Sequence, residues 1–383
     1  MSLRQQKLVF LGLSLSSSWG NGHATTYRAL LRGLAANGHE VVFLERDMPW
    51  YRGNRDLGTP GFCQLDFYDD IDDLVRRHDR TLARADAVIV GSSVPDGAAV
   101  IDRVFAHADG LLGFYDIDTP VTLTALEQKT CPYLSARQIP SFDVYFSIAG
   151  GPTLNRLEAA YGARMALPLH CMVDAECYRP MGTGKRWSLG YMGSHSPVRQ
   201  PALEHFLLEP ARRLPEQRFV VAGAQYPDTI DWPANVERFD HIAPERHPEF
   251  YGSLCYALNL TPTDMRPLGW APGARLFEAA ACGTAVISDD WDGLDSFFPR
   301  DEAILVAGTT EDVISALGVD AAVRSARIGE QAQQITLSRH TGRHRATELE
   351  RGLALALARA RAERPHFPGA IVEGRKHGLR SAL

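Results

Sequence analysis

The chain of 383 residues lacks any apolar run that approaches the roughly 20 residues needed to cross a bilayer, and its N-terminus lacks the apolar core of a signal peptide. No two cysteines form a C-x-x-C pair, and His170, Cys171 and Cys177 match no zinc-finger spacing. These absences predict a soluble, cytoplasmic protein with reduced cysteines and no bound metal. The cysteines are Cys63, Cys131, Cys171, Cys177, Cys255 and Cys282.

Two further absences narrow the function. The net charge is −6 at pH 7, whereas a general nucleic-acid binder carries a basic surface, so we expect no nucleic-acid partner. The first apolar run is followed by GLSLSSSWGNG rather than by G-x-G-x-x-G, the glycine pattern of NAD-binding domains. Glu45, at the end of the second apolar run, is the only feature that favours an NAD-dependent oxidoreductase.

Short apolar runs alternate with helical patterns along the chain, which is typical of βαβ units around parallel sheets. We therefore predict an α/β protein with two Rossmann-like, doubly wound domains that face a central cleft. The predicted parts are residues 1–180, residues 181–335, and helices plus a tail at residues 336–383. The predicted strands are residues 7–13, 40–45, 87–90, 111–115, 144–148, 166–169, 188–192, 218–222, 256–260 and 285–288.

The most informative segment is residues 269–290, which read GWAPGARLFEAAACGTAVISDD. Its Pro and Gly favour a tight turn at Gly273, and a helix beginning near Ala274 would direct unpaired N–H groups and its positive dipole end at an anion such as a diphosphate. Glu278 follows among small residues, with Arg275 as its basic neighbour at helical spacing. Glu278 is therefore either an ordinary helix acid paired with Arg275 or a ligand for ribose hydroxyls.

This segment resembles the donor-binding motif of GT-B glycosyltransferases, and within them the branch related to the CgeB-like spore maturation proteins. The resemblance rests on Gly269, Trp270, Pro272, Arg275, Phe277, Glu278, Cys282 and Gly283. It implies a GT-B fold in which residues 1–180 bind the acceptor, residues 181–335 bind a nucleotide sugar through Glu278, and terminal helices cross back to the first domain. Retaining members carry a second Glu eight positions earlier, where this chain has Trp270, so the stereochemical outcome stays open.

Residues 22–41 match the GHxxxxxxLxxxLxxxGHEV stretch that is common in GT-B acceptor domains. In inverting members of that fold, a His at the position of His23 is the general base that deprotonates the acceptor hydroxyl. Histidine suits this role because it titrates near neutrality. The alternative is that His23 only caps the helix or shapes the loop.

Asp116 and Asp118 occur in FYDIDT, directly after a predicted strand and at the same cleft edge as His23. The D-x-D pattern binds a metal in GT-A glycosyltransferases, but its place in the acceptor domain of a GT-B-like chain argues against that role here. Either aspartate could be the catalytic base, bind an acceptor hydroxyl or orient His23. Strand-end aspartates are also frequent turn formers.

A phosphate site is predicted in the second domain. A glycine turn follows the first strand of this domain, and an arginine a few residues later offers a fork of donors matched to phosphate oxygens. Together with the helix start described above, the predicted phosphate ligands are Gly193, Ser194, Arg199, Gly273, Ala274 and Arg275.

The predicted contacts with the nucleotide base are in residues 238–251, RFDHIAPERHPEFY, which resemble the family segment that frames the base. His241 and Ile242 would lie closest to it, whereas Arg246 and His247 are expected to be solvated. The loop that contains Asp264 could face the donor sugar, but it carries no specific motif.

The C-terminal part is predicted to be helical, and it carries the family's H-T-x-x-x-R-A pattern from His340 to Ala346. Residues 343–383 hold nine Lys and Arg against four Asp and Glu. The tail is therefore either solvated or makes a weak contact with an anionic surface.

These patterns together predict a metal-independent glycosyltransferase, without a cofactor, that moves a sugar from a UDP- or dTDP-sugar to an acceptor hydroxyl. A non-hydrolysing sugar-nucleotide epimerase would use the same fold and donor pocket without an acceptor. A third possibility is a catalytically inactive binding protein with this fold, because Trp270 stands where retaining members carry a glutamate. The nucleotide base, the sugar, the acceptor and the oligomeric state depend on loops for which no transferable pattern exists.

Overall fold

The computed structural model describes residues 5–262 and 265–363, which form two parallel β-sheets. The first sheet has the spatial order β3-β2-β1-β4-β5-β6-β7 and contains β1 (Lys7–Gly12), β2 (Glu40–Arg46), β3 (Gln64–Tyr68), β4 (Ala87–Gly91), β5 (Leu111–Asp116), β6 (Val144–Ser147) and β7 (Ala166–Pro168). The second has the order β10-β9-β8-β11-β12-β13 and contains β8 (Trp187–Met192), β9 (Phe219–Ala222), β10 (Val236–Phe239), β11 (Leu254–Asn259), β12 (Ala285–Ser288) and β13 (Leu305–Val306).

Helices connect these strands. In the first half they are α1 (His23–Ala36), α2 (Pro49–Arg52), α3 (Ile71–Ala83), α4 (Gly97–His107), α5 (Thr119–Glu127) and α6 (Pro152–Tyr161). In the second half they are α7 (Gln200–Leu203), α8 (Glu209–Arg213), α9 (His247–Gly252), α10 (Ala274–Ala281), α11 (Thr310–Ala316), α12 (Ala321–Arg339) and α13 (Gly342–Glu363). A π-helical turn over Glu204–Leu208 joins α7 to α8.

Strand β1 shows why the sheets are parallel and buried. Leu8 and Phe10 pack into the apolar layer on one face of the sheet, Val9 and Leu11 pack into the layer on the other, and none of the four is exposed. Continuous apolar runs of this kind are typical of parallel strands covered by helices on both faces. The predicted α/β class with two Rossmann-like sheets is confirmed.

The strand order places a crevice at the same point in each sheet. The order reverses between β1 and β4 in the first sheet and between β8 and β11 in the second. Connections leave in opposite directions at such a point, so a crevice opens outside the carboxyl ends of the strands. The residues predicted to bind or react lie in the loops and helix starts that follow β1, β5, β8, β10 and β11.

Three strands were not predicted from the sequence: β3, β10 and β13. All three lie at or near a sheet edge, and their residues are mostly only half-buried. Edge strands mix polar and apolar residues because one side faces solvent, so they lack the apolar run that marks a central strand. Helix α12 also continues through the boundary predicted at residue 335 and ends at Arg339.

The C-terminal helix α13 returns to the first sheet and packs against α1. The two helices approach closely because glycines meet there. A side chain at Gly33 would overlap the backbone of Gly342, and one at Gly342 would overlap the backbone of Ala29. Both halves of the chain consequently contribute side chains to one apolar layer, whose members range from Leu8 to Ala356 in the sequence.

Aromatic and histidine rings fill the seam between the halves. His170 meets Phe297 with ring centroids 4.8 Å apart, and His340 meets Phe277 at 4.7 Å. Burial lowers the pKa of His170 to about 4 and that of His340 to about 3, so both rings are neutral at pH 7. The buried Arg345 joins them, since its Nε donates to the His170 carbonyl at 3.1 Å and its Nη2 to His340 Nδ1 at 2.8 Å.

Candidate functional site

The start of α10 lies at the carboxyl edge of the second sheet. Gly273 precedes the helix in an extended conformation, and no side chain caps the first turn. Glu278, one turn into the helix, is only 7% exposed, and its Oε2 accepts a hydrogen bond from the Tyr251 hydroxyl at 3.3 Å. Glu278 and Arg275 form no ion pair, so the pairing considered as the alternative role of Glu278 is not what holds this carboxylate.

Two arginines lie together in front of this helix. The guanidinium of Arg275 is 5.7 Å from the centre of the Tyr191 ring, and Arg199 donates from Nη2 to the Ser194 carbonyl at 3.4 Å. Burial and the nearby charge of Arg275 lower the pKa of Arg199. Within residues 5–262 and 265–363, neither guanidinium has an acidic partner, and the Nε of Arg199 is buried without a hydrogen bond. Burial opposes the charge of Arg275, but Glu278, which attracts it only from a distance, contributes to its raised pKa, so two adjacent cations without a direct ion pair remain as a site for an anion.

The loop after β8 can pass beside these arginines only because it contains glycine. A side chain at Gly193 would lie 2.6 Å from the Tyr191 hydroxyl, and one at Gly223, whose φ is +158°, would overlap the Gly193 carbonyl. The Tyr226 hydroxyl donates to that same carbonyl at 2.8 Å. Ser194, the next residue along this loop, lies beside Arg199 through its carbonyl.

The segment predicted to frame the nucleotide base is held by a histidine. His241 is exposed and Ile242 is half-buried against the shared apolar layer. His247 contacts the Ile242 carbonyl through Nε2 at 3.1 Å and the Tyr178 hydroxyl through Nδ1 at 3.1 Å. Arg246 is exposed, as expected, whereas His247 begins α9 and is half-buried through these contacts, so the expectation that it is solvated is wrong in part. Its partner Tyr178 is distant in sequence, so no local pattern could have revealed this contact.

On the acceptor side, His23 begins α1, and its ring points at an aspartate rather than at the helix end. Nε2 of His23 lies 3.2 and 3.0 Å from the two carboxylate oxygens of Asp118. Asn21 caps the helix instead, since its Oδ1 accepts from the Ala24 N–H at 3.2 Å. The Nδ1 of His23 is covered by neighbouring atoms and has no hydrogen-bond partner in the part of the chain that the structure describes.

Asp118 is held in its charged form by several donors. The hydroxyls of Ser92 and Ser93 donate to its Oδ2 at 3.0 and 2.8 Å. Burial alone would raise the pKa of Asp118, but the hydrogen bonds and the attraction of His23 outweigh it, so the pKa lies below its usual value. The carboxylate therefore fixes both the orientation and the Nε2–H tautomer of His23.

Asp116, in contrast, lies beneath the floor of the cleft and is not exposed at all. Its carboxylate accepts from the Tyr145 hydroxyl at 2.5 Å and from the Thr122 hydroxyl at 2.7 Å. Burial raises the pKa of Asp116 to about 7. The structure thus separates the two aspartates predicted as catalytic: Asp118 contacts His23, whereas Asp116 supports the loop between β5 and α5 and cannot reach an acceptor from this position.

The raised pKa of Asp116 predicts a pH dependence of stability. The folded state retains this proton up to about pH 7, whereas the unfolded chain loses it near pH 4, so stability is present below pH 4 and is lost as pH rises towards 7. Asp116→Asn mimics the neutral acid. It is therefore expected to remove up to about 4 kcal/mol of the fall in the free energy of unfolding between pH 4 and 7. The measurement is urea unfolding at several pH values between 4 and 8. Asp109→Asn, at an exposed position, serves as the control, and equal pH slopes in the two variants would contradict the prediction.

Glu45 has a structural role, which removes the only sequence feature that favoured an NAD-dependent oxidoreductase. It is completely buried, and its carboxylate accepts from the backbone N–H groups of Leu15 and Ser16 at 2.7 and 2.9 Å and from the hydroxyls of Ser14 and Ser16. A carboxylate enclosed in this way cannot bind the ribose of NAD. The run of serines in the loop after β1 is the sequence feature that could have indicated a hydrogen-bonded, buried carboxylate at Glu45.

Cys171 brings the two halves of the site together. This buried residue follows β7, and its thiol lies against the Thr26 hydroxyl of α1 and the backbone of Ala274 at the start of α10. Because His23 is one turn before Thr26, the His23 and Asp118 pair and the start of α10 line the same cleft. Burial raises the pKa of the Cys171 thiol to about 12, so it stays protonated.

Trp270 occupies the junction between the halves. The backbone N–H of Trp270 donates to the Asp292 carbonyl at 2.6 Å, and the backbone carbonyl of Trp270 accepts from the Gly150 N–H at 2.9 Å. The indole fills the space above Gly151 and Gly293, where an added Cβ would lie 2.6 and 2.5 Å from the ring. Trp270 has a φ of +44°, which is rare for a bulky residue, so the surrounding contacts must stabilise it.

The remaining sequence predictions concern residues outside the described ranges, a metal site and membrane spans. Asp264 and the tail at residues 364–383, which would carry much of the anionic-surface contact, lie outside the described residues. Among residues 5–262 and 265–363, no three His, Cys, Asp or Glu side chains converge as they would around a metal ion. The helices in those ranges are too short or too polar to cross a membrane.

Solved structures share this arrangement of two sheets. HepE from Anabaena, in complex with UDP and glucose, is 12% identical, with a TM-score of 0.67 over 92% of this chain and 100% of that chain. Sucrose-phosphate synthase from Thermosynechococcus elongatus is also 12% identical, with a TM-score of 0.66 over 93% and 100%. This chain has the GT-B fold.

One more solved structure and one family model are also similar to this chain. An alpha-glucosyltransferase in complex with UDP-glucose and DNA containing an abasic site is 13% identical, with a TM-score of 0.67 over 91% of this GT-B chain and 100% of that chain. A family model described as glycosyl transferase-like matches residues 199–351, which include Arg199, Arg275 and Glu278. Among proteins of curated function, none has a sequence that matches this chain.

Proposed function

We propose that this protein is a glycosyltransferase that moves a sugar from a nucleoside diphosphate sugar to an acceptor hydroxyl. The observation that carries the proposal is the pairing of Arg199 with Arg275, without acidic partners in the described ranges, in front of the uncapped start of α10 and beside the buried Glu278. A diphosphate satisfies the cations and the helix start, and ribose hydroxyls satisfy the carboxylate.

In this proposal the donor half of the site stabilises the leaving group. Negative charge grows on the diphosphate as the bond to the sugar breaks, and Arg199, Arg275 and the N–H groups at Gly273 and Ala274 lie where that charge develops. Because these groups are part of the chain, the reaction needs no metal ion to neutralise the diphosphate. Glu278 fixes the ribose and so sets the distance between the nucleoside and the phosphate site.

The acceptor half would supply the base. Nε2–H of His23 is bound to Asp118, so Nδ1 is the ring atom with a free electron pair, and it would take the proton of the acceptor hydroxyl. The Asp118 carboxylate would stabilise the imidazolium that forms. Since Nδ1 is covered here, acceptor binding must displace the atoms around it. Asp116 would act only by holding the loop that carries Asp118.

We further propose that the nucleotide is uridine diphosphate, with His241 and Ile242 beside the base. HepE and the alpha-glucosyltransferase, which share the fold, are described in complex with UDP or a UDP-sugar. The kinship with the CgeB-like branch, the hexose character of the sugar and the cytoplasmic location remain predictions from the sequence. Trp270 offers no carboxylate to the sugar, which distinguishes this site from the retaining pattern.

The test is a thermal-shift panel with UDP, dTDP, GDP, ADP and NAD on the wild type and on Glu278→Ala. A ligand at about 100 times its dissociation constant adds roughly 2.7 kcal/mol of stability. We expect that UDP stabilises the wild type, and that Glu278→Ala loses most of the shift because the ribose hydroxyls lose their acceptor. Glu302→Ala, at an exposed position, should retain it.

Other outcomes separate the rival functions. A shift with NAD alone, or a UDP shift that does not depend on Glu278, would refute the donor site. Product analysis with a UDP-sugar and no acceptor distinguishes an epimerase, which converts the donor sugar, from a transferase, which does not. A chain that binds UDP but transfers the sugar to no acceptor and isomerises nothing would be a binding protein.

A further inference from the structure

Two tryptophans are exposed on the acceptor side of the cleft. Trp19, in the loop after β1, is 54% exposed, and Trp50, in α2 directly after β2, is 51% exposed. The structure describes all six tryptophans of the chain, and only these two are exposed. A single exposed apolar side chain is common on a protein surface, but two tryptophans that lie on linked segments beside the cleft indicate a binding surface.

Hydrogen bonds join the two segments that carry these tryptophans into one rigid surface. The Ser17 hydroxyl donates to the Asn54 carbonyl at 2.6 Å, and Asn54 Nδ2 donates to the Trp50 carbonyl at 2.8 Å. The Tyr51 hydroxyl lies against the side chains of both Trp50 and Asn21. Asn21 in turn caps the helix that begins at His23. The segments that carry the tryptophans are thus linked to the start of the helix that carries the proposed base.

The charges of this surface are already neutralised, which indicates the chemistry of its ligand. Every arginine between residues 13 and 57 has an aspartate partner: Arg28 with Asp56, Arg32 with Asp174, Arg46 with Asp96, and both Arg52 and Arg55 with Asp47. The donor side differs, since Arg199 and Arg275 have no acidic partner in the described ranges. An anionic acceptor, such as a phosphorylated sugar or a nucleic acid, would find no free cation in this part of the cleft.

We propose that Trp19 and Trp50 form an aromatic platform that binds the acceptor through an uncharged ring that has an apolar face and bears the hydroxyl to be glycosylated. This inference rests on the proposed glycosyltransferase function and adds the class of acceptor. A sugar ring and a phenolic ring share the required chemistry, which is an apolar face with a hydroxyl at its edge. Tryptophan supplies a large contact area at low cost in conformational entropy, and the connected loops hold it in place before the acceptor arrives.

The experiment measures transfer from a UDP-sugar to three acceptors: methyl glucoside, 4-methylumbelliferone and glucose 6-phosphate. We expect transfer to one of the two neutral acceptors and little to glucose 6-phosphate. Trp19→Ala and Trp50→Ala are each expected to raise the KM for that acceptor about tenfold, which corresponds to about 1.4 kcal/mol, while kcat changes little. Trp50→Phe should recover much of the affinity because the ring face remains. Leu355→Ala removes an equally exposed apolar side chain on α13 and should behave as the wild type.

The UDP-induced thermal shift is measured on every variant, so that failure of the donor site and failure of the platform are distinguished. Variants that keep the UDP shift are folded and bind the donor. With that shift kept, an unchanged acceptor KM in both alanine variants overturns the platform alone. A preference for glucose 6-phosphate, or no transfer to either neutral acceptor, also overturns the platform proposal while the donor site stands. If the wild type shows no UDP shift, the proposed function fails and the platform proposal fails with it.

Discussion

Replacing His23 with glutamine is expected to lower kcat by about 10³-fold while leaving the UDP affinity unchanged. General base catalysis contributes roughly 10² to 10⁴ in rate, and His23 is the residue whose ring is both oriented by a carboxylate and left with an unpartnered nitrogen. Glutamine keeps a polar side chain that Asp118 can bind but cannot take a proton at pH 7. The measurement is single-turnover transfer at saturating donor, together with UDP binding by calorimetry.

Asp118→Asn serves as the companion variant. It leaves His23 in place but removes the charge that fixes the tautomer of the ring and stabilises the imidazolium, so kcat should fall. Thr25→Ala, which alters a hydroxyl on the exposed side of the same helix turn, should retain wild-type kcat. A kcat for His23→Gln within threefold of the wild type would exclude His23 as the base.

The second large effect is expected from the arginines of the donor site. Arg275→Met should lower kcat/KM for the nucleotide sugar by about 10²-fold to 10³-fold, and Arg199→Met should act in the same direction. Methionine keeps much of the length and apolar contact of the side chain against Tyr191 but removes the charge. The loss should appear both in donor binding and in kcat, because the charge on the diphosphate increases in the transition state.

The double variant Arg199→Met/Arg275→Met provides a stricter test. If both guanidinium groups bind one diphosphate, the two effects will not add, because the first substitution already disturbs the phosphate position. Arg103→Met, on the exposed surface of α4, is the control and should be neutral. A change below threefold in kcat/KM for Arg275→Met would show that the diphosphate lies elsewhere.

The sequence predicted those parts of the fold whose signal is local. Central strands such as β1 and β12 carry continuous apolar runs, and the Gly273 turn before α10 is recognisable because turn residues and helix formers are adjacent in the chain. The strands β3, β10 and β13 could not be predicted in the same way. Their stability comes from a neighbouring strand on one side only, and that neighbour is invisible in a local window.

The same distinction applies to the candidate site. Glu278 and Arg275 were predicted together because they lie on one helix, whereas the partnership of His23 with Asp118 joins residues 95 positions apart. The sequence offered His23, Asp116 and Asp118 together as candidates. They are separated only in the folded chain, by the contact of His23 with Asp118 and by the complete burial of Asp116. The contact between His247 and Tyr178 was missed for the same reason, since two separate segments must meet before it exists.

The packing of Trp270 has a consequence for how this protein can change in evolution. Its indole leaves no room for a side chain at Gly151 or Gly293, so the three positions constrain one another. A lineage that replaced the tryptophan by glutamate would leave a void between two glycines, and one that first replaced either glycine would collide with the ring. We therefore expect tryptophan at 270 and glycine at 151 and 293 to be inherited as a set, and an ancestral change at any one of them to require the other two.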